Sequence, residues 1–109
     1  MSTYFPCPYL GAQVELTDER EQHITERHPD LLPEHGQCVA DTLADPDQVR
    51  RSVRFANAWL FSHWFESLRG GKHVVVVVVG ASTPGGRYWI ITTYITRRLA
   101  EGEIEWKRD

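Results

Sequence analysis

The chain has 109 residues, of which 41% are hydrophobic and 25% are charged. That length suits one domain, and the composition is that of a globular protein rather than a disordered one. The longest apolar run, residues 74–79, is far shorter than the roughly 20 residues of a membrane span. The first eleven residues lack the pattern of a signal peptide, so we expect a cytoplasmic protein without a membrane partner.

The charges are divided unevenly along the chain. Residues 1–49 carry ten acidic and two basic side chains (net −8), whereas residues 50–109 carry ten basic and five acidic ones (net +5). A basic half is typical of a nucleic-acid-binding face, but the two halves could also pair with each other, which charge alone favours. Cys7 and Cys38 show no metal-ligand spacing, and the sequence predicts two free thiols.

The segment "LTDEREQHITERHPD", residues 16–30, predicts a helix with defined ends. Thr17 is a candidate N-cap, and acidic residues follow it in the first turn, where the helix dipole favours them. Pro29 disfavours helical geometry in the residue before it, so the helix should end near Arg27 or His28. A second helix is predicted within residues 32–47, ending at Pro46.

Beyond residue 47 the pattern changes to that of β-strands, with β-branched and aromatic residues between turn signals. The predicted strands cover residues 48–55, 58–67, 72–80, 87–96 and 102–107. The sequence therefore predicts an α+β fold in which two N-terminal helices pack on a curved antiparallel sheet of four to five strands. We expect one domain over residues 1–109, comprising an N-terminal arm (1–13), a helical part (14–46) and the sheet (47–106).

Six consecutive valines, residues 74–79, cannot all point to one side of a strand. A strand that is apolar on both sides is typical of the centre of a sheet with both faces covered. The sequence leaves three sources of cover open: the helices, the N-terminal arm, or a partner subunit in a homodimer.

Three histidines in "EQHITERHPDLLPEHG", residues 21–36, raise the question of a metal site. Two helical zinc ligands are typically four residues apart. His23 and His28 are five apart, which at roughly 100° per residue places them about 140° apart around the helix. His35 follows a proline-bounded loop. The spacing disfavours a metal site, and we expect no cofactor.

Acid–base chemistry fits the same residues better. His23 and Arg27 share a helix face, and an imidazole beside a guanidinium suits proton transfer at a phosphodiester. His28 stands at the helix C-terminus, where the dipole favours the protonated ring that a general acid needs. The alternative is a solvated face on which His23 bonds Glu19, and spacing alone favours that alternative.

Further polar residues lie on the predicted strands. Alternation places His63 with Phe61 and Phe65, and it places Thr92 with Tyr94. Basic residues at the strand ends could follow an RNA backbone, and exposed aromatic rings could stack on bases. The candidate RNA-binding residues are Arg50, Arg51, Arg54, Lys72 and Arg87, with Arg97 and Arg98 nearby.

The order "LTxERxxHIxERHPDL", a helix ending "LADPDxV", then "VVVVV", "ITTYIT" and "GxIEW" resembles the phage-associated nuclease domains of the barnase–EndoU–colicin–RelE (BECR) group. The resemblance spans residues 14–106 and implies N-terminal helices on a curved antiparallel sheet. It also implies a metal-independent endoribonuclease in which a 2′-hydroxyl attacks the adjacent phosphate.

Carried onto this sequence, the resemblance implies His23 as general base and His28 as general acid. It implies that Arg27 stabilises the phosphorane and that Thr92 orients the substrate, with His63 as a further candidate. The implied partners are RNA, either tRNA or mRNA, and an antitoxin or immunity protein if the nuclease is a toxin. The alternative function is a non-catalytic RNA- or protein-binding module that keeps the fold.

Overall fold

The computed structural model describes residues 1–54, 57–81, 86–99 and 102–109. In chain order, the elements within these ranges are β1 (Thr3–Cys7), β2 (Ala12–Leu16), α1 (Asp18–Arg27), α2 (Gly36–Ala44), β3 (Gln48–Arg51), β4 (Ala58–Phe65), β5 (Lys72–Gly80), β6 (Tyr88–Thr96) and β7 (Glu103–Lys107). The strands β3 to β7 fall where the sequence predicts them. Phe55, the last residue of one predicted strand, lies outside the described residues.

The seven strands form one sheet in the order β1-β2-β6-β5-β4-β3-β7. Six neighbouring pairs connect them, and all are antiparallel except β2 with β6, which run parallel. The valine strand β5 is the fourth of the seven, so the prediction that it is central is confirmed.

The predicted fold class is wrong in both strand number and arrangement. The sheet is mixed rather than antiparallel and has seven strands instead of four or five, while the two helices are only 10 and 9 residues long. The predicted N-terminal arm is largely a hairpin of β1 and β2, so strands precede the helices. Pro6 argues against a strand in the sequence, but an edge strand tolerates proline, and β1 is the edge.

The first helix has the predicted ends. The Thr17 hydroxyl accepts a hydrogen bond from the Arg20 N–H at 3.2 Å, and the helix ends at Arg27, two residues before Pro29. The second helix begins only at Gly36, later than predicted. Among the described residues, neither helix combines the length and apolar character that crossing a membrane requires.

One face of the sheet, here called the helix face, packs against the helices. It carries Phe61, Val74, Val76, Val78 and Ile90, all essentially buried. Ile24, Leu31, Val39 and Leu43 cover it from the helical side within a single core. Each such side chain contributes roughly 1.5–3 kcal/mol when removed from water. Cys7 and Cys38 are free thiols, as predicted.

The opposite face, here called the outer face, is covered differently. Val75 is only 2% exposed there. Arg98 and Leu99, which follow the end of β6, line a small cavity on this face together with Val75. The expected cover on the second face is therefore confirmed at Val75, and Arg98 and Leu99 contribute to it.

Candidate nucleic-acid site on the outer face

Tyr94 is shared by two cavities on the outer face. The first, of about 10 Å³, has room for about one water molecule. The second measures about 280 Å³. The first is lined by Arg50, Leu60, Ser62, Val75, Tyr94, Arg98 and Leu99. The second is lined by Ser52, Arg54, Leu60, Val77, Ile91, Thr92 and Tyr94.

Strand alternation brings these side chains together. Thr92 and Tyr94 are two residues apart on β6 and therefore point to the same face. Arg50 pairs across from Leu60, and Arg54 follows the end of the same strand. Three guanidinium groups thus line the cavities, while the described lining residues include no carboxylate. The arrangement is electrostatically suited to an anion.

Ser62 adds a buried hydroxyl to the first cavity. Its side chain is 2% exposed, and its Oγ has no hydrogen-bond partner among the described residues. Leaving such a group unsatisfied costs about 1–3 kcal/mol. A water molecule in the adjoining cavity would satisfy it, as would a ligand oxygen.

His28 lies beside Tyr94, with their ring centroids 6.3 Å apart. It caps the C-terminus of α1, which packs against β6. The His28 carbonyl accepts hydrogen bonds from the N–H groups of Leu31 (3.0 Å) and Leu32 (3.2 Å), which hold the backbone at this position. His28 is therefore a predicted site residue that contacts Tyr94, although it lines neither outer-face cavity itself.

His23 and Arg27 are exposed on α1, and His35 is the N-terminal cap residue of α2. None of these three lines either outer-face cavity. No group of three His, Cys, Asp or Glu side chains in the described ranges is close enough to hold a metal ion. The metal alternative, which needs His23, His28 and His35 together, therefore finds no assembled ligand set there.

His63 lies on the helix face, away from the cavities. Its Nδ1–H donates to the Asp45 carbonyl at 2.7 Å, and the same nitrogen is 3.4 Å from Asp47 Oδ1. Its ring packs 4.7 Å from that of Phe65. These contacts tie the segment between α2 and β3 to β4. Arg108 binds the same segment, pairing with Asp45 and lowering its pKa.

Three of the predicted RNA-binding cations are also engaged elsewhere. Arg51 projects to the helix face, with its guanidinium 4.5 Å from the Trp59 ring centroid. The Lys72 ammonium donates to the Arg69 carbonyl at 2.8 Å. Arg87 pairs with Glu15, and the Ser2 hydroxyl together with Arg87 lowers the pKa of that carboxyl. Of the five predicted cations, only Arg50 and Arg54 line the outer-face cavities.

Sequence reasoning missed Ser52 and Ser62 and gave Tyr94 and Arg98 no specific role. A signal existed for two of them, because alternation places Tyr94 with Thr92, and it places Ser62 on the face opposite His63. No such signal marks Arg98, which lies beyond the end of β6, where strand alternation no longer applies.

His73 adds a pH dependence near this site. Burial lowers the pKa of its imidazole, with Arg50 lowering it further and Asp47 opposing the shift. The unfolded chain therefore takes up a proton at a higher pH than the native state does, so stability falls as pH drops below about 6.5. We expect His73→Gln to flatten the dependence of the unfolding free energy on pH between pH 7 and pH 5. Urea titrations across this range measure it, and unchanged curvature would contradict the assignment.

Comparisons with known proteins add no relative: no protein-family model matches the chain, and searches of curated proteins and of solved structures also return no match. The resemblance to BECR nucleases rests on the sequence motifs alone.

Proposed function

We propose that this chain is a small, metal-independent endoribonuclease whose RNA substrate binds on the outer face. The observation that carries the proposal is the outer-face cluster around Tyr94. Arg50, Arg54 and Arg98 line its two cavities, the described lining residues include no carboxylate, and His28 contacts the Tyr94 ring. Cations, hydroxyls and an imidazole are the groups that RNA cleavage without a metal requires.

Because the first cavity has room for only about one water molecule, the scissile phosphate lies at its mouth, next to Arg50 and Arg98, which line it. Guanidinium groups donate in a fixed fork that matches phosphate oxygens, and their charge stabilises the extra negative charge of the phosphorane. Ser62, whose hydroxyl has no partner among the described residues, donates to the one non-bridging oxygen that enters this cavity. Thr92, in the adjoining cavity, orients the ribose, which is also the role that the resemblance implies.

The proton transfers fall to His28 and Tyr94. His28 takes the proton of the 2′-hydroxyl as its oxygen attacks phosphorus, and Tyr94 gives a proton to the departing 5′-oxygen. The P–O5′ bond breaks as the 2′-O–P bond forms, leaving a 2′,3′-cyclic phosphate and a 5′-hydroxyl. An imidazole accepts a proton through its unprotonated nitrogen and a phenol donates its O–H, so the two groups suit these roles. The helix dipole, which favours the protonated ring, is the argument for the opposite role that the resemblance gives His28.

This assignment differs from the sequence-based one, in which His23 is the base and His28 the acid. His23 and Arg27 stay predictions from the resemblance, supported by their shared helix face but not by a place in the cavities. A toxin-like or phage-derived role, with tRNA or mRNA as substrate and an inhibitor protein as partner, is likewise part of the proposal.

The test is cleavage of RNA by the purified chain in excess EDTA. We expect cleavage that chelator does not stop, with 2′,3′-cyclic phosphate ends on the products. A His28→Ala preparation purified in parallel controls for contaminating nucleases. Loss of cleavage on chelation would contradict the metal-independent mechanism, while RNA binding without cleavage would favour the non-catalytic binding module.

A further inference from the structure

Trp64 is an exposed aromatic residue on the outer face that the mechanism above does not use. It lies near the end of β4 and is 37% exposed. Pairing places it beside His73, whose own partner on β6 is Thr96. On the outer face, Trp64, His73 and Thr96 form one row across the strands. The neighbouring row, two residues away along each strand, is Ser62, Val75 and Tyr94.

The indole is held in one orientation from several sides. Its Nε1–H donates to Glu66 Oε1 at 2.9 Å. The His73 ring packs edge-on at 4.8 Å. A Cβ on Gly71 would lie 2.3 Å from Trp64 Cζ2, so the ring rests directly on the Gly71 backbone, which only glycine allows. An aromatic ring that is fixed beforehand binds a second ring with little loss of conformational entropy.

Trp64 is also close to the phosphate-binding groups. It is two residues from Ser62 along β4, a separation of about 7 Å. The Thr96 hydroxyl accepts from the Arg98 N–H and donates to the Arg98 carbonyl, which holds Arg98 just beyond the end of β6. Because Thr96 pairs with His73, and His73 with Trp64, Arg98 follows β6 at the level of Trp64. Arg50 pairs with Leu60, two residues from Ser62 on the same face, and so adds a second guanidinium on this side of the sheet.

The charges around Trp64 select a neutral ring over a phosphate. Glu66 bonds the indole edge, and Asp47 Oδ2 accepts from the Trp64 backbone N–H at 2.8 Å. Asp47 is itself paired with Arg108 at 3.5 Å, so the Glu66 carboxylate is the charge that repels a phosphate at this position without opposing an uncharged base. The cations lie toward the cavities, where the backbone of the same nucleic acid would run.

We propose that Trp64 is the stacking platform for a base of single-stranded RNA, one that lies next to the phosphate held at Arg50, Arg98 and Ser62. The inference rests on the proposed function for the position of the phosphate. Stacking on an aromatic ring uses the face that every base has, so the platform tolerates any base.

The test measures binding of a short single-stranded 2′-O-methyl oligonucleotide, which lacks the nucleophile and cannot be cleaved. We expect Trp64→Ala to weaken binding about 5- to 150-fold, with Trp64→Phe intermediate. Trp106→Ala is the matched control, because Trp106 is similarly exposed, at 39%, but pairs with Val49 on the helix face. The salt dependence of binding should not change in Trp64→Ala, since no charge is removed.

An oligonucleotide with one abasic position supplies a second measurement. When the missing base is the one that stacks, Trp64→Ala should have no further effect on affinity. Binding of the intact oligonucleotide should also quench fluorescence in the wild type and in Trp106→Phe, but far less in Trp64→Phe. Because the phenylalanine variant keeps a ring on Gly71, its fluorescence result stands even if the alanine variant folds poorly.

The outcomes separate this inference from the proposed function. Equal affinities for the wild type, Trp64→Phe and Trp64→Ala would overturn the platform, even if RNA cleavage were normal. Wild-type protein that binds the oligonucleotide through Trp64 but cuts no RNA would overturn the enzyme and leave the platform. If the wild type does not bind the oligonucleotide even at low salt, both proposals are overturned. That result is expected if the outer face binds a protein instead.

Discussion

Replacing His28 by alanine is expected to slow RNA cleavage about 10²- to 10⁴-fold, the usual contribution of a positioned general base. The reason is its place beside Tyr94, at 6.3 Å between ring centroids; Tyr94 in turn lines the cavity that Arg50 and Arg98 also line. Single-turnover cleavage of a defined RNA measures the chemical step directly.

The fold should survive this change. The backbone of His28 makes the capping contacts, since its N–H donates to the Ile24 carbonyl and its own carbonyl accepts from two loop N–H groups. Alanine keeps all of them. The thermal unfolding midpoint of His28→Ala should therefore stay close to that of the wild type, which separates lost chemistry from lost structure.

Tyr94→Phe tests the other half of the proposed pair, because it keeps the ring and removes only the hydroxyl. If His28 and Tyr94 act in one step, the double variant should lose little more activity than either single variant. Independent losses that multiply would argue that the two residues serve separate steps.

His23→Ala distinguishes the geometric assignment from the sequence-based one. His23 is exposed on α1 and lines neither outer-face cavity. The geometry predicts a small effect, whereas the assignment implied by the resemblance predicts a loss as large as that of His28→Ala. A large loss at His23 combined with an active His28→Ala would reject the His28–Tyr94 pair.

Local patterns in the sequence predicted those parts of the fold that depend on neighbouring residues. Thr17 and Pro29 bound α1 through capping and backbone sterics, and both act within a few residues. The continuous valine run marked β5 as central because its side chains alternate between two faces. A local pattern was misleading at Pro6, because proline usually argues against a strand. The strand forms there because β1 is at the edge of the sheet, where proline is tolerated.

Features that depend on long-range pairing could not be predicted in the same way. The parallel pairing of β2 with β6 joins Val14 to Tyr88, and nothing near either residue specifies it. That pairing places β2, and α1 after it, next to β6, which brings His28 to Tyr94. Periodicity therefore identified the candidate side chains, but only topology decides which of them meet.

The basic residues show the same division between local and long-range information. Arg50 and Arg51 are adjacent in sequence and equivalent in composition, yet alternation sends them to opposite faces. Arg50 lines the cavity beside Tyr94, while Arg51 lies over Trp59 and pairs with Glu105 at 3.5 Å. The basic residues of the second half therefore serve two different purposes. Some make contacts within the fold, as Arg51 does, and others line a surface cavity, as Arg50 does.

Reversing two charges on the outer face should produce the second large effect, on RNA affinity. We expect Arg54→Glu with Arg98→Glu to weaken binding of single-stranded RNA on the order of 10- to 100-fold at about 50 mM salt. Both arginines are exposed and line the two cavities around Tyr94. Each lost phosphate contact should also lower the magnitude of the slope of log K against log salt by about 0.7.

Arg20→Glu with Lys107→Glu is the matched control. It changes the net charge of the protein by the same amount, at exposed positions outside both outer-face cavities. Equal losses in the two double variants would mean that RNA responds to total charge rather than to this face. A wild-type affinity that does not depend on salt would go further, because phosphates cannot be bound by guanidinium groups without releasing counterions. Only a loss confined to Arg54 and Arg98, with a reduced salt slope, places the RNA backbone beside Tyr94.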